Sequence, residues 1–417
     1  MRRSNRAWLP RYCSPDDLLP RIPETRALFS RRPYLVQDFV GKTISFLNSD
    51  EARKMGLEYD ERCAIPCKWR CADESLFGVD LAIYAYTRAY PFDKGRIGGY
   101  FNEASIGAAV HHGRINVDLG GSHVGYVPGP DGGSFGRVWR PAEREYSTDC
   151  GHLMAVISPF KQIYDDACDN ILVCQPEGER VLVSIPNEFI QPTWSSHPIK
   201  LLVDPDTLTD GEVEYDHHRP HTHTLIGRSL FYAHPDFIAH LPEDELHRLT
   251  TTVRQRIGHS LTHRYFNIFD AEAELDEEGL PRQRLLLYMK FILSARHSPE
   301  GLKAAVINTS LEHNRLTDAV RAGPYIGYDF ISFSGVFIDI YSKDARSYVN
   351  LFQPMGMTIK PRGKTRELEF TPEEIHEIFD RIPVAEPRMP LKAVLDYDRP
   401  ESALESFTYE PGRFTRT

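Results

Sequence analysis

The sequence lacks any apolar run long enough to cross a membrane and any strongly basic stretch. No hydrophobic segment approaches the roughly 18 residues that a membrane helix needs, so we expect no membrane span. Arg2 and Arg3 begin a mildly basic N-terminus, but no apolar run of about 7–15 residues follows, which argues against a secretory signal. The net charge of −10 comes from interspersed acidic residues. We therefore expect a soluble protein that binds no nucleic acid.

Cysteines are sparse and odd in number, seven in 417 residues. An odd count in a long chain without a secretory signal disfavours a framework of disulfide bonds. Reduced thiols or metal ligands are the better interpretation, and the expected location is cytoplasmic.

The length allows two or three domains, each with its own core. Residues 1–60 have the pattern of an N-terminal helical arm interrupted by prolines. Residues 61–199 alternate strand and helix patterns, which predicts the α/β class, a sheet flanked by helices. Residues 200–417 predict an additional C-terminal α+β domain of unknown role, with an alternating strand at 331–341 and a late helix. A capping box, Thr371-Pro372-Glu373-Glu374, marks the start of that helix.

Two cysteines and a histidine in residues 61–199 are candidates for a zinc site: Cys71, His123 and Cys150. Catalytic zinc typically takes three protein ligands and leaves a fourth position for water, and soft thiolates favour zinc over magnesium or calcium. Cys150 opens a helical pattern, and a helix N-terminus favours thiolate over thiol. The spacing alone is more typical of buried structural cysteines and a core histidine, and both interpretations stay open at this point.

A carboxylate lies two residues after the first of these cysteines, at Asp73. It is close enough in sequence to reach the fourth zinc position, or to accept a hydrogen bond from a zinc-bound water. An arginine partner would hold the carboxylate away from the metal and leave the site open to water.

Several short motifs in residues 61–190 follow one another in an order that resembles a known family. They are Cys71-Ala72-Asp73-Glu74, Gly98-Gly99, the run from Gly107 to His112, Gly121-Ser122-His123-Val124-Gly125, Gly136-Arg137-Val138 and Cys150-Gly151. Together they are similar to the limiting-CO2-inducible proteins of algae, the LCIB family of theta-class carbonic anhydrases. The series is more specific than any one of its members.

The resemblance implies a fold like that of the β-carbonic anhydrases, a homodimer, and one Zn²⁺ held by Cys71, His123 and Cys150. It implies Asp73 as the gating carboxylate. The implied reaction is the reversible hydration of carbon dioxide to bicarbonate by zinc-bound hydroxide, and the enzyme would be a lyase.

The sequence departs from the family pattern before Cys71, where Cys67-Lys68-Trp69-Arg70 is more polar than the expected apolar strand. The arginine that should pair with Asp73 is ambiguous: Arg62 is the choice, and its rivals are Arg70, Arg88 and Arg96. Without such a partner, Asp73 would cap the zinc and close the site. The pair His111-His112 fits a proton shuttle, a pocket lining or simple packing.

Two other function classes remain open from sequence. A second histidine cluster, His217 to His223, includes a His-x-His pair of the kind that opens the metal sites of amidohydrolases. It makes a metal-dependent hydrolase the alternative enzyme, although a solvated loop gives the same pattern. The non-enzyme alternative is a binding or structural protein with a closed zinc site.

Overall fold

The computed structural model describes most of the chain. The described residues are 24–102, 104–129, 133–174, 181–186, 189, 199–203, 209–212, 228–239, 255–256, 266–270, 284–293, 299–323, 327–343, 345–395 and 401–408. The chain forms two compact units. One contains residues 1–15, 155–296 and 416, and the other contains residues 16–154, 297–415 and 417.

Helices and strands alternate along the described residues. The helices are α1 (Thr25–Leu28), α2 (Val36–Leu47), α3 (Asp50–Lys54), α4 (Phe77–Thr87), α5 (Ala104–Ala109), α6 (Gly151–Asn170), α7 (Pro235–Ala239), α8 (Met289–Leu293), α9 (Glu300–Ala322), α10 (Pro372–Asp380), α11 (Leu391–Leu395) and α12 (Glu401–Ser406). The strands are β1 (Tyr34–Leu35), β2 (Ala64–Arg70), β3 (Phe92–Asp93), β4 (Gly95–Arg96), β5 (Tyr100–Phe101), β6 (Ile115–Gly121), β7 (His123–Val127), β8 (Ser134–Phe135), β9 (Arg137–Arg140), β10 (Glu145–Thr148), β11 (Leu172–Cys174), β12 (Leu182–Pro186), β13 (Ile199–Val203), β14 (Thr209–Glu212), β15 (Arg228–Ala233), β16 (Gln255–Arg256), β17 (Phe266–Asp270), β18 (Asp329–Ser342), β19 (Ser347–Lys360) and β20 (Leu368–Phe370).

A mixed sheet is the centre of the unit that contains residues 16–154 and 297–415. Its main path runs β1-β19-β18-β6-β2-β3, with β20 beside β19 and β7 beside β18 and β8. Strands β18, β6, β2 and β3 are parallel neighbours, whereas β18 and β19 form a long antiparallel pair. The α/β class predicted from sequence is confirmed.

Helices cover both faces of this sheet. On one face Phe330 of β18 packs in a buried cluster with Trp69, Phe101 and two side chains of α9, Leu316 and Val320. Side chains three positions apart on a strand point to opposite faces, and Phe333 accordingly packs against other aromatic rings. Its ring centroid lies 5.4 Å from that of Phe39 in α2 and 5.6 Å from that of Phe379 in α10.

The long strand β18 is more completely buried than its sequence pattern indicates. The sequence pattern predicted an alternating strand over 331–341. In the structure the first twelve of its 14 residues are all buried, because strands on both sides and helices on both faces enclose it. The capping box of α10 forms as predicted, with reciprocal bonds between Thr371 and Glu374.

The compact units combine segments differently from the domains expected at 1–60, 61–199 and 200–417. β18 and β19, expected in the C-terminal domain, belong to the same sheet as β2 and β6, and the register pairs Ser332 with Asp118. The local pattern identified the strand, but its partner lies about two hundred residues earlier, where local pattern carries no information.

The other unit contains an antiparallel sheet in the order β14-β15-β12-β11-β16 and a separate pair, β13 and β17. Among the residues that the structure describes, no helix has the length and apolar character needed to cross a bilayer.

Candidate metal centre

The three candidate zinc ligands lie together at the carboxyl ends of β2 and β6. Cys71 is the first residue after β2, His123 begins β7, and Cys150 directly precedes α6. Ligand atoms from the three side chains all lie within 4.8 Å of one another, and all three residues are buried. The structure thus brings the predicted residues to one point, and their role as metal ligands stays a prediction.

A sharp turn between β6 and β7 places His123 there. Gly121 has a φ of +146°, and a Cβ at this position would lie 1.7 Å from the carbonyl oxygen of Gly335 in β18. Only glycine allows so close an approach of two backbones. β18 pairs in parallel first with β6 and then, past this close approach, with β7.

The imidazole of His123 has two different environments. Its Nδ1 lies 2.8 Å from a carboxylate oxygen of Asp339, whereas Nε2 is buried and has no hydrogen-bond partner among the described residues. A buried ring nitrogen without a partner beside two buried sulfurs is a donor set that fits zinc, which favours nitrogen and thiolate ligands.

The two thiols differ in their affinity for a proton. The neighbouring Cys150 is the main cause that lowers the pKa of Cys71 to about 4. His123 acts in the same direction, whereas burial opposes the shift. The backbone N–H of Gly98 also donates to Cys71 Sγ, at 3.1 Å. The contact with Cys71, together with burial, raises the pKa of Cys150 well above its ordinary value. The pair thus favours the thiolate at Cys71 and the thiol at Cys150.

A second carboxylate, Asp149, lies beside the cluster. Burial raises its pKa to about 6 although His123 opposes the shift. One of its oxygens lies 3.2 Å from His123 Nδ1, but neither oxygen has a hydrogen-bond partner within the described part of the chain. Burial alone would lower the pKa of His123, yet Asp149 and Cys150 raise it well above its ordinary value. A metal cation would therefore displace protons from this cluster as it binds.

Among the described residues, one arginine, Arg140, holds Asp73. The guanidinium donates to both carboxylate oxygens of Asp73, at 2.9 and 3.0 Å, and Nη2 also donates to the carbonyl oxygen of Asp149 at 2.9 Å. Burial alone would raise the pKa of Asp73. The bonds from Arg140, the nearby His123 and the N–H of Ser75 lower it below its ordinary range instead.

The expectation that Arg62 pairs with Asp73 is wrong. Arg62 binds the carboxylate of Asp60 two residues earlier, and its side chain is 85% exposed. Of its rivals, Arg70 binds Asp80. Arg140 lies 67 residues from Asp73, so spacing gave no indication of the pair. Arg140 ends β9, which pairs with β10 in a hairpin, and its side chain reaches the carbonyl oxygens of Thr148 and Asp149 at the far end of β10.

Of the other histidines named from sequence, His111 and His112 lie outside the cluster. His111 and His112 are exposed, and the His112 ring packs at 5.3 Å from Phe92. The cluster from His217 to His223 lies outside the described residues.

Sequence reasoning missed two residues beside the cluster, Asp149 and Asp339. Asp149 precedes Cys150 directly, and its proximity to a candidate ligand was the one available hint. Asp339 comes from β18, 216 residues from His123, and only the sheet topology brings it to the site.

Comparison with known proteins finds similarity at the level of structure. No protein-family model and no curated protein matches the sequence. The chain is similar in fold to PtLCIB4, described as a homolog of the limiting CO2-inducible protein LCIB, with 13% identity, a TM-score of 0.43 and coverage of 79% of this chain and 93% of that one. A single-site variant of PtLCIB4 aligns with 11% identity and a TM-score of 0.45, covering 84% of this chain and 97% of that one.

The limiting CO2-inducible protein LCIB itself aligns with 11% identity and a TM-score of 0.39, covering 82% of this chain and 95% of that one. At these identities and TM-scores the likenesses say nothing about the site, so its chemistry rests on its own residues.

Proposed function

We propose that this chain is a zinc-dependent carbonic anhydrase that catalyses the reversible hydration of carbon dioxide to bicarbonate. The observation that carries the proposal is the buried cluster of Cys71, His123 and Cys150, with their ligand atoms all within 4.8 Å of one another. The choice of carbon dioxide as substrate rests on the series of sequence motifs that resembles the LCIB family.

The donor set supports zinc. Two sulfurs and one imidazole nitrogen are three ligands, the number that catalytic zinc sites take while they keep a position open. Zinc held there would supply a Lewis acid and would lower the pKa of a coordinated water to about 7.

Asp73 and Arg140 support an open site. Both oxygens of Asp73 accept hydrogen bonds from Arg140, and Oδ1 also accepts from the N–H of Ser75 at 2.9 Å. With its oxygens occupied, the carboxylate is held back from the fourth ligand position. Because the lowered pKa keeps Asp73 ionised, it is an acceptor that orients a hydrogen of the reacting water.

Arg140 is itself anchored. Besides Asp73, its guanidinium donates to the carbonyl oxygens of Asp149 and Thr148, at 2.9 and 3.3 Å. Since Asp149 immediately precedes Cys150, the same side chain ties the carboxylate to the segment that carries the last ligand. These contacts of Arg140 fix the position of Asp73 relative to Cys150.

The test is stopped-flow carbon dioxide hydration by protein of measured zinc content, native and Cys150→Ser. A matched control is Cys168→Ser, since Cys168 is also a buried cysteine outside any disulfide but lies outside the cluster. We expect one zinc per chain and turnover in the native protein and in the control, and loss of both in Cys150→Ser. Zinc without turnover would show a non-catalytic, closed site, and absence of zinc would refute the site.

The homodimer and the cytoplasmic location are part of the same proposal and stay predictions. Sedimentation of the zinc-loaded protein measures the first, and fractionation of cells that produce the full-length chain measures the second.

A further inference from the structure

Asp339 is a buried carboxylate in β18 on which three hydrogen bonds converge. Its Oδ2 lies 2.8 Å from His123 Nδ1 and accepts from the hydroxyl of Ser75 at 2.6 Å. Its Oδ1 accepts from Asn350 Nδ2 at 2.7 Å. Its exposed fraction is 0%, so these partners define its surroundings.

We propose that Asp339 is a positioning residue that fixes the tautomer of His123 and directs Nε2 to the metal. The inference rests on the proposed zinc site and extends it to a residue in a distant part of the chain. A carboxylate only accepts hydrogen bonds, so the ring nitrogen that faces it must carry the hydrogen. With the hydrogen on Nδ1, the lone pair of Nε2 is free for zinc.

An amide in place of this carboxylate cannot satisfy the same three partners. Asn350 Nδ2 also donates to the carbonyl oxygen of Ser75, at 2.8 Å. If Asn350 turned its amide over, its oxygen would face that carbonyl. Asn350 therefore presents a donor to position 339, and His123 and Ser75 present donors to the other oxygen.

An asparagine at position 339 would then have two arrangements, both unfavourable. With its NH2 group towards Asn350, two donors face each other. With its NH2 group towards His123, the imidazole must accept at Nδ1 and carry its hydrogen on Nε2, where it blocks the metal. The carboxylate is thus required for zinc ligation, beyond filling space.

Asp149 is the competing carboxylate, since one of its oxygens lies 3.2 Å from the same Nδ1. That contact lacks hydrogen-bond geometry, because neither oxygen of Asp149 has a hydrogen-bond partner in the described residues. Asp339 makes the shorter contact and is locked by two further donors. The geometry assigns the positioning role to Asp339.

The experiment measures zinc affinity by chelator competition on the full-length protein, native and Asp339→Asn. Removing the outer partner of a histidine ligand typically weakens metal binding about 10–100-fold, and we expect a loss of that size. The control is Asp118→Asn, since Asp118 is equally buried in the adjacent strand β6 but pairs with Lys94. It should lower the melting temperature and leave zinc affinity unchanged.

Unchanged zinc affinity in Asp339→Asn would overturn the inference, and so would equal weakening by Asp339→Asn and Asp118→Asn. Weakening by Asp149→Asn alone would assign the role to the other carboxylate. A measurement on the native protein covers the case in which variants do not fold. Nitrogen NMR of the zinc-loaded protein, with the His123 signals identified by their loss in His123→Gln, should place the ring hydrogen on Nδ1, and a hydrogen on Nε2 would overturn the inference.

The proposed function and this inference fail in different ways. Zinc-loaded native protein that does not hydrate carbon dioxide refutes the function and leaves the role of Asp339 intact. Native turnover with tight zinc binding in Asp339→Asn refutes the inference alone. Native protein that takes up no zinc refutes both.

Discussion

Replacing Arg140 by lysine tests whether the hold on Asp73 keeps the metal site open. The guanidinium donates to both oxygens of Asp73 and to the backbone carbonyls of Thr148 and Asp149. A lysine ammonium keeps the positive charge but lacks the planar fork, so it cannot bind both carboxylate oxygens and both carbonyls at once.

The expected magnitude follows from the number of bonds lost. A hydrogen bond to a charged group contributes about 1.5–3 kcal/mol, and the pair is well shielded, with side-chain exposures of 12% for Arg140 and 13% for Asp73. Losing one such bond shifts the balance between held and released Asp73 by roughly tenfold to hundredfold. A released carboxylate would take the fourth ligand position, so kcat/KM should fall by up to that factor while zinc stays bound.

Stopped-flow hydration of carbon dioxide on zinc-loaded Arg140→Lys measures this effect, with zinc release to a chelator measured in parallel. Arg137→Lys is the matched control, because Arg137 lies on the same strand but binds only the carbonyl oxygen of Tyr146 among the described residues. We expect native kcat/KM in the control. Native kcat/KM in Arg140→Lys would refute the reasoning, as would a loss of activity explained by loss of zinc.

Three further predictions concern stability. Lys94→Met removes one member of an ion pair in which neither side chain is exposed. It should lower the free energy of unfolding, measured by urea denaturation, by about 3–5 kcal/mol, and adding Asp118→Leu should restore most of the loss. A double variant whose loss equals the sum of the two single losses would contradict this. Gly121→Ala should unfold the chain at much lower urea than Gly327→Ala, for which no described atom lies within 4 Å of the added Cβ; equal midpoints would disprove the close approach. Burial lowers the pKa of His313 to about 4, below the value of about 6.5 expected in the unfolded chain. The contribution of the neutral His313 to the free energy of unfolding is complete above about pH 6.5. It is lost as the pH falls towards 4, and it amounts to roughly 3 kcal/mol in all. In His313→Gln the urea midpoint should change less with pH over that range, and the same change as in the native protein would refute the assignment.

The local parts of the fold were predictable from sequence. The capping box at Thr371 and the strand pattern of 331–341 depend on neighbours a few residues apart, and both elements form. The partner of that strand was not predictable, because pairing between β18 and β6 joins residues about two hundred positions apart. The expectation of a separate C-terminal domain arose from that missing information.

The candidate site divides in the same way. The candidate ligands were predictable because cysteine and histidine side chains offer sulfur and nitrogen ligand atoms. The structure brings Cys71, His123 and Cys150 together as the sequence predicted. The arginine for Asp73 was sought nearby in sequence, and the structure supplies Arg140 instead.

The sequence by itself determined which side chains can offer ligand atoms, because residue type sets that chemistry. The tertiary structure alone decided which groups hold those side chains in place. Arg140 reaches Asp73 through a hairpin, and Asp339 reaches His123 through a parallel strand pairing. Such contacts depend on sheet register, and register is a property of the folded chain as a whole.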